Sequence, residues 1–83
     1  MAISRRVTHS GKADDGTISS LCHPGEYWSP RRKADAVRDI NSGQYRYWVR
    51  VDGQEVDVHV VNGHLRTDPD KTTRNNLLDL PDC

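Results

Sequence analysis

The stretch that decides the fold is residues 44–67, QYRYWVRVDGQEVDVHVVNGHLRT. Two strand-like runs and a short third run are separated by Asp52-Gly53 and Asn62-Gly63. These dipeptides are typical of hairpin turns, because a type I′ turn needs positive φ at both central residues and Asp, Asn and Gly adopt it at low cost. The sequence therefore predicts a three-stranded antiparallel meander.

A two-residue turn fixes the register of the strands that it joins. The first turn places Val51 opposite Gln54 and, counting back, Tyr45 opposite Val60. The second turn places Val60 opposite Leu65. One face of the meander is then apolar and consists of Tyr45, Tyr47, Val49, Val51, Val56, Val58, Val60 and Leu65. The other face consists of Arg46, Trp48, Arg50, Glu55, Asp57, His59, Val61, His64 and Arg66. We expect the apolar face to be the core.

The remaining chain predicts a hairpin and a helix that pack against this meander. Residues 3–9 and 17–22 alternate weakly and predict an N-terminal β-hairpin. Ser29-Pro30 resembles a helix start, and residues 41–43, Asn-Ser-Gly, predict its end. After a turn predicted at residues 68–70, three leucines are expected to pack on the sheet: Leu77, Leu78 and Leu80. The predicted fold is a single α+β domain over residues 1–83.

Composition limits the choice of partners and of location. The 83 residues have a formal net charge of zero and a mean hydropathy of −0.85. Zero net charge argues against general electrostatic binding to nucleic acid or to an anionic membrane. No run is apolar enough to span a bilayer or to act as a signal peptide, so we predict a cytoplasmic protein without a membrane partner. In that compartment Cys22 and Cys83 are expected to remain thiols. The alternative is a disulfide that pins the last residue, which would help to stabilise so small a domain.

Several features of the chain resemble a family of short bacterial proteins of unknown function. The matching features are WSP at residues 28–30, the strand YRYWVRV, the Asn62-Gly63 turn followed by LRT, and the ending PD…NNLLDLPDC between Pro69 and Cys83. The resemblance implies a compact α+β domain and carries over no functional residue. It also implies that Cys83 packs against another part of the protein.

The first candidate site is the cationic run Arg31-Arg32-Lys33 at the predicted helix start. Helix N-termini carry partial positive charge, so three cations there would suit an anion such as phosphate or carboxylate. The alternative, which we favour, is that these side chains pair with Asp35, Asp39 or the acidic tail.

The second candidate site is Trp48, which lies between Arg46 and Arg50 on the polar face of the meander. The register places it near Asp57, and His59 and Arg66 follow on the same face. An aromatic ring among arginines can stack a base while the cations hold phosphates. The alternative, which we favour, is that the hairpin or the leucines cover Trp48, while cation–π contacts and cross-strand ion pairs satisfy the arginines. Thin domains rarely leave a tryptophan uncovered.

Metal and enzyme chemistry are weakly indicated. Cys22, His23 and Cys83 lack the paired short spacings of structural zinc sites. The remaining ligand would come from His9, His59 or His64. Adjacent residues of a strand point to opposite faces, so Cys22 and His23 cannot form a thiol–imidazole pair. With no Gly-rich phosphate loop in the sequence either, we predict no catalysis, no metal and no cofactor.

The sequence thus predicts a non-catalytic binding module for a small anionic, nucleotide-like ligand or a protein partner. The residues expected to bind it are Trp48, Arg46, Arg50, His59, Arg66, Arg31, Arg32 and Lys33. Single-stranded nucleic acid binding is an alternative that zero net charge disfavours. A purely structural or assembly role is a third. The open edge of a meander could also pair with a second copy, so a homodimer is compatible with the sequence.

Overall fold

The computed structural model describes residues 2–67 and 76–83. Within those residues the fold is α+β, and the predicted class is confirmed. In chain order the elements are β1 (Ile3–Arg6), β2 (His9–Lys12), β3 (Ile18–Cys22), β4 (Arg31–Arg32), α1 (Lys33–Ser42), β5 (Tyr45–Val51), β6 (Gln54–Asp57), β7 (His59–Val61), β8 (His64–Arg66) and the 3-10 helix Asn76–Asp79. The turn predicted at residues 68–70 lies outside the described residues.

The two hairpin turns form as predicted. At residues 52–53 and 62–63 every central residue has positive φ, between 50° and 81°. β5 pairs antiparallel with β6, with Val49 opposite Val56, and β7 pairs antiparallel with β8. The registers predicted around both turns are confirmed, because two-residue loops leave the strands no freedom to slip.

The prediction of a continuous three-stranded meander is wrong. β6 ends at Asp57, β7 begins at His59, and β7 and β8 form a two-stranded sheet of their own. Val58 still donates its N–H to the carbonyl oxygen of Tyr47 at 2.8 Å, but the predicted pairing of Tyr45 with Val60 does not form. The chain bends here because β7 and β8 pack against α1, which covers the apolar side of β5.

The N-terminal hairpin is only partly as predicted. β2 pairs antiparallel with β3, but β1 pairs in parallel with β5, so that Arg5 lies beside Tyr47 and Arg6 beside Trp48. Val7 extends this contact by donating its N–H to the carbonyl oxygen of Trp48 at 2.8 Å. The sheet that contains the central strand therefore has the order β1-β5-β6.

The helix begins three residues later than predicted, at Lys33 and not at Pro30. The Ser29 hydroxyl oxygen accepts a hydrogen bond from the N–H of His23 at 2.9 Å, so it serves the preceding loop. The next residues extend into β4, which pairs with β3, and α1 starts only at Lys33. Its end is as predicted, since Gly43 adopts the left-handed conformation, with φ of 77°.

The core lies between α1 and the sheets. Its fully buried apolar members are Val7, Ile18, Leu21, Trp28, Ala36, Tyr47, Val49, Val58, Leu65 and Leu77. The apolar face predicted for residues 45–65 is confirmed, because its other members pack partly buried against this set. Of the three leucines, Leu77 is buried and Leu80 partly buried, whereas Leu78 is 45% exposed, contrary to expectation.

Cys22 and Cys83 form a disulfide, so the expectation of free thiols is wrong. The reason is the path of the last residues, which run beside β2 and bring Cys83 to the end of β3. Ser10 donates its N–H to the carbonyl oxygen of Pro81 at 3.0 Å, and its hydroxyl donates to that of Leu77 at 2.5 Å. The bond closes a sequence separation of 61 residues. Chain entropy alone then stabilises the fold by about 4 kcal/mol.

Candidate ligand-binding surface

The outer face of the sheet β1-β5-β6 collects polar side chains by simple alternation. Since Tyr47 and Val49 point into the core, Trp48 and its two neighbouring arginines point outward. The parallel pairing with β1 adds Arg6 directly beside Trp48. The outer face therefore consists of Ser4, Arg6, Arg46, Trp48, Arg50, Glu55 and Asp57.

Trp48 is half-buried and stands between two guanidinium groups. The Cζ atoms of Arg6 and Arg50 lie 5.7 Å and 5.8 Å from its ring centroid. These are cation–π distances. We call Arg6, Trp48 and Arg50 the outer cluster. The favoured alternative is therefore present in part, because Arg6 of β1 lies beside the ring and cation–π contacts engage two arginines.

Arg46 is not free to bind an anionic ligand in the way that the sequence predicts. Its guanidinium forms ion pairs with Asp57 and, at 3.4 Å, with Glu55, and it donates to the hydroxyl of Ser4 at 2.9 Å. The hydrogen bond to Asp57 is the largest cause of the raised pKa of Arg46. Two carboxylates and a hydroxyl thus compensate this side chain.

Arg6 and Arg50 differ from Arg46 in having no carboxylate partner among residues 2–67 and 76–83. The side chain of Arg50 donates to the carbonyl oxygen of Gly53 at 3.2 Å, and that of Arg6 contacts the Trp48 ring. Both residues are exposed. Their charges are therefore free to meet an anion from solution.

A small cavity opens beside the outer cluster. It has a volume of about 260 Å³, and its wall includes Arg6, His23, Glu26 and Trp48. His23 is fixed there by its Nδ1, which lies 2.9 Å from the carbonyl oxygen of Arg6. The edge of Trp28 also reaches this wall. Cationic, acidic and aromatic groups therefore surround one concave site.

His59 and Arg66 do not join this site. They face each other across the β7–β8 hairpin, which belongs to a separate sheet. Arg66 instead lines a different cavity of about 380 Å³, together with His64 and Leu78. The prediction that these two residues belong with Trp48 is wrong, because the bend at Val58 breaks the common face.

The cationic run at the helix start is also divided. Arg31 and Arg32 lie in β4, and only Lys33 belongs to α1. Arg31 donates to both carboxylate oxygens of Asp39, from Nε at 2.9 Å and from Nη2 at 3.0 Å. The anion that Arg31 binds is thus a carboxylate of the chain itself, which is the alternative that the sequence favours.

Asp39 belongs to a buried polar cluster that the sequence does not reveal. The Tyr47 hydroxyl donates to Asp39 Oδ2 at 2.6 Å and accepts from Arg5 Nη1 at 2.8 Å. Arg5 Nη1 also lies 3.7 Å from Asp39 Oδ2. We call Arg5, Arg31, Asp39 and Tyr47 the inner cluster. A signal was present, since Arg5 shares its strand parity with Val7.

Aromatic rings enclose Arg5 within the inner cluster. Its Cζ lies 3.6 Å from the ring centroid of Tyr45 and 5.5 Å from that of Trp28. The Tyr27 ring is 5.8 Å away, and its hydroxyl accepts from Arg5 Nη2 at 3.3 Å. Arg5 is consequently only 7% exposed. Each buried nitrogen of its guanidinium nevertheless has a hydrogen-bond partner.

The inner cluster shifts the pKa of its members. Burial opposes ionisation of Asp39, but hydrogen bonds from Arg31 and Tyr47 outweigh it and lower the pKa of the carboxyl. Burial, reinforced by the hydrogen bond to Asp39, raises the pKa of Tyr47 to about 12. The hydroxyl is therefore held protonated and the carboxyl ionised, which is the state that the observed hydrogen bonds require.

The residues considered for metal binding are arranged differently from a metal site. Cys22 and Cys83 are joined to each other. Over residues 2–67 and 76–83, no three His, Cys, Asp or Glu side chains come together closely enough to hold an ion. In the same part of the chain, no helix is long and apolar enough to cross a membrane.

Comparison with known proteins extends the resemblance seen in the sequence. No curated protein and no solved structure matches the chain. A family model matches residues 7–81, which include every described strand except β1, and Cys22 but not Cys83. The chain therefore belongs to DUF3892, a family of proteins of unknown function.

Proposed function

We propose that the protein is a non-catalytic binding module for a small anionic, nucleotide-like ligand, held on the outer face by Arg6, Trp48 and Arg50. The observation that carries this proposal is the partly exposed Trp48 ring between two guanidinium groups without a carboxylate partner in the described residues. Two uncompensated cations attract an anion, and an indole offers a flat apolar surface to a planar group.

The size of the neighbouring cavity supports a divided mode of binding. About 260 Å³ is below the range of roughly 300–1,000 Å³ that pockets for whole drug-sized ligands occupy. The cavity beside Arg6 and His23 would hold a phosphate or a sugar, while a base would stack on Trp48 outside it. Guanidinium groups suit phosphate because their N–H groups can donate in pairs.

Single-stranded nucleic acid is less well supported on the same face. Binders of this class stack successive bases on several aromatic side chains along a basic groove. The outer face offers one such ring, Trp48, and its third arginine, Arg46, is neutralised by Asp57 and Glu55. A protein partner would also use this surface. We place the proposed activity in the cytoplasm, as the sequence suggests, although a disulfide is uncommon in that compartment.

The test is a titration followed through the indole N–H signals of the protein in a two-dimensional proton–nitrogen NMR spectrum. Trp48→Phe assigns the Trp48 signal and leaves that of Trp28. The titrants are adenosine monophosphate, inorganic phosphate and a short oligothymidylate. We expect adenosine monophosphate to shift the Trp48 signal saturably, and Arg6→Gln or Arg50→Gln to weaken binding about tenfold, which is about 1.4 kcal/mol.

Arg38→Gln is the matched control, because Arg38 is an exposed arginine of α1, on the opposite side of the sheet. An equal loss of affinity in Arg38→Gln and Arg6→Gln would contradict the proposed site. The absence of any saturable shift would contradict small-ligand binding and leave the protein partner. Tighter binding of the oligothymidylate, with a steep dependence on salt, would favour nucleic acid instead.

A further inference from the structure

The Cys22–Cys83 disulfide forms part of the wall of a third cavity, distinct from those lined by Trp48 and by Arg66. This cavity has a volume of about 500 Å³. Its other lining residues are Ser20, Pro24, Gly25, Ser29 and Pro30. The walls are thus small and weakly polar side chains without a charge. A cavity of this kind can admit a small molecule beside the disulfide.

The two sulfur atoms differ in accessibility. Cys22 is 2% exposed and belongs to the packed strand β3, whereas Cys83 is exposed and follows the last turn of the chain. Thiol–disulfide exchange depends on which sulfur an attacking thiolate can reach. Attack on the Cys83 sulfur is therefore open from solution, while the Cys22 sulfur is shielded.

A hydroxyl group is positioned beside both sulfur atoms. The Oγ of Ser20 lies 3.9 Å from Cys22 Sγ and 3.7 Å from Cys83 Sγ, within hydrogen-bonding reach of each. Gly11, on the neighbouring strand β2, makes this possible, because a Cβ at that position would collide with the Ser20 hydroxyl. A donor at this point favours a sulfur that becomes negatively charged, since a stabilised thiolate leaves faster.

We propose that the Cys22–Cys83 disulfide is a thiol-exchange site that accepts a low-molecular-weight thiol at Cys83. The incoming thiolate attacks Cys83 Sγ and forms a new S–S bond, while the Cys22–Cys83 bond breaks. Cys22 leaves with the electron pair as a thiolate, to which Ser20 donates a hydrogen bond before water protonates it. A second thiol then attacks the added sulfur, releases the Cys83 thiolate and departs as the small-molecule disulfide.

The exchange has a local structural consequence at the end of the chain. Once the S–S bond opens, residues 80–83 are held to β2 by a few polar contacts. Lys12 Nζ donates to the carbonyl oxygen of Leu80 at 2.5 Å and pairs with Asp82 at 2.8 Å. Leu77 remains buried in the core. The site therefore converts a covalent attachment of the last residues into a weaker, reversible one.

The test uses the oxidised, folded protein and reduced glutathione as the probe. The reaction is quenched with acid, free thiols are blocked with N-ethylmaleimide, and the two cysteine-containing peptides are analysed by mass spectrometry. We expect glutathione on Cys83 and N-ethylmaleimide on Cys22. Glutathione on Cys22 would overturn the proposal. A reaction that occurs only after denaturant unfolds the protein would also overturn the proposal. The same holds if protein equilibrated with oxidised glutathione contains two free thiols, because the disulfide would then not form.

The role of Ser20 is tested by Ser20→Ala, with Ser19→Ala as the matched control on the same strand. We expect Ser20→Ala to slow the first exchange about three- to tenfold, through a poorer leaving thiolate, and Ser19→Ala to leave it within about twofold. Equal rates in the two variants would refute the role of Ser20. Circular dichroism confirms that each variant folds, and the peptide analysis of the unmodified protein tests the site even if one does not.

Discussion

Each face of the β1-β5-β6 sheet carries an arginine in contact with aromatic rings, but one arginine is buried and the other is exposed. Arg5 and Arg6 are neighbours in sequence, and both contact aromatic rings. Arg5 points inward, is 7% exposed and shares the carboxylate of Asp39 with Arg31. Arg6 points outward beside Trp48 and has no carboxylate partner in the part of the chain that the structure describes.

This difference separates a structural cluster from a surface that can bind. A buried charge is tolerated only when it is paired and hydrogen-bonded, and Asp39 with the Tyr47 hydroxyl meets that requirement for Arg5. At the surface, water solvates a guanidinium, so no carboxylate is needed. The unpaired charge of the outer cluster is therefore free to select an anionic ligand, whereas that of the inner cluster is already used.

The largest effect is expected from removing the shared carboxylate of the inner cluster. Asp39→Asn leaves the buried guanidinium of Arg5 and that of Arg31 without their anion. Breaking a buried pair by removing one partner costs about 3–5 kcal/mol, so we expect a loss of that size in the free energy of unfolding. Urea denaturation followed by circular dichroism measures it.

The control for this prediction is Asp35→Asn on the same helix. Asp35 lies 3.7 Å from Arg38 in a surface pair, so its loss should cost less than about 0.5 kcal/mol. The lowered pKa of Asp39 also predicts that its contribution is present at neutral pH and is lost as the pH falls through that value. Equal destabilisation by the two substitutions would show that the inner cluster is not structural.

The next effect is a loss of stability at alkaline pH. Tyr47 has a pKa of about 12 in the folded protein, against 10.0 for an ordinary tyrosine. The protonated hydroxyl therefore stabilises the fold fully below pH 10, and this contribution is lost as the pH rises to about 12. Two pH units correspond to about 3 kcal/mol. We expect urea denaturation at rising pH to show this loss, and Tyr47→Phe to lack it.

The phenolate absorbance of the folded protein provides an independent check. One tyrosine of the native protein should ionise near pH 12, and this step should be missing from the titration of Tyr47→Phe. A titration of the native protein without this late component would show that the Tyr47 hydroxyl is not held protonated by the inner cluster.

The smallest effects come from the matched pair Arg5→Met and Arg6→Met, which sharpens the comparison most directly. Arg5→Met removes charged hydrogen bonds to Tyr27 and Tyr47, so we expect a loss of about 2 kcal/mol in the free energy of unfolding. Arg6→Met should change stability by less than about 0.5 kcal/mol and should weaken binding of adenosine monophosphate. Denaturation and the indole NMR titration measure the two properties. The reverse pattern would exchange the roles assigned to the two faces.

The half of the site formed by Trp48 and Arg50 could be predicted from sequence, because two-residue turns fix local pairing. Arg6 could not, since β1 joins β5 in parallel from a distance and no turn sets that register. Asp57 and Glu55 were on the predicted face, but alternation alone does not say which arginine they neutralise.

The inner cluster escaped prediction because charged residues count as outward in any hydrophobic pattern. Apolar spacing on α1 predicts a face with Ala34, Val37 and Ile40. Val37 and Ile40 do pack against the core, but Ala34 is exposed, and the most buried residues are Ala36 and Asp39. The helix is rotated because Asp39 is drawn to Arg5 and Arg31, an interaction between distant segments. The disulfide was missed for a related reason, since the compartment argument contains no information on where the last residues run.

The disulfide also determines how the molecule would respond to a pulling force. Everything from Cys22 to Cys83 is a closed covalent ring, so tension between residues 2 and 83 enters the ring at Cys22 and does not unravel it. Only the chain before Cys22 can be drawn out, to a fully extended length of roughly 70 Å. That portion contains β1 and β2, each at the edge of its sheet, and β3 up to its last residue. Under load the protein would therefore lose these strands, and with them Arg5 and Arg6, while the helix stays inside the covalent ring.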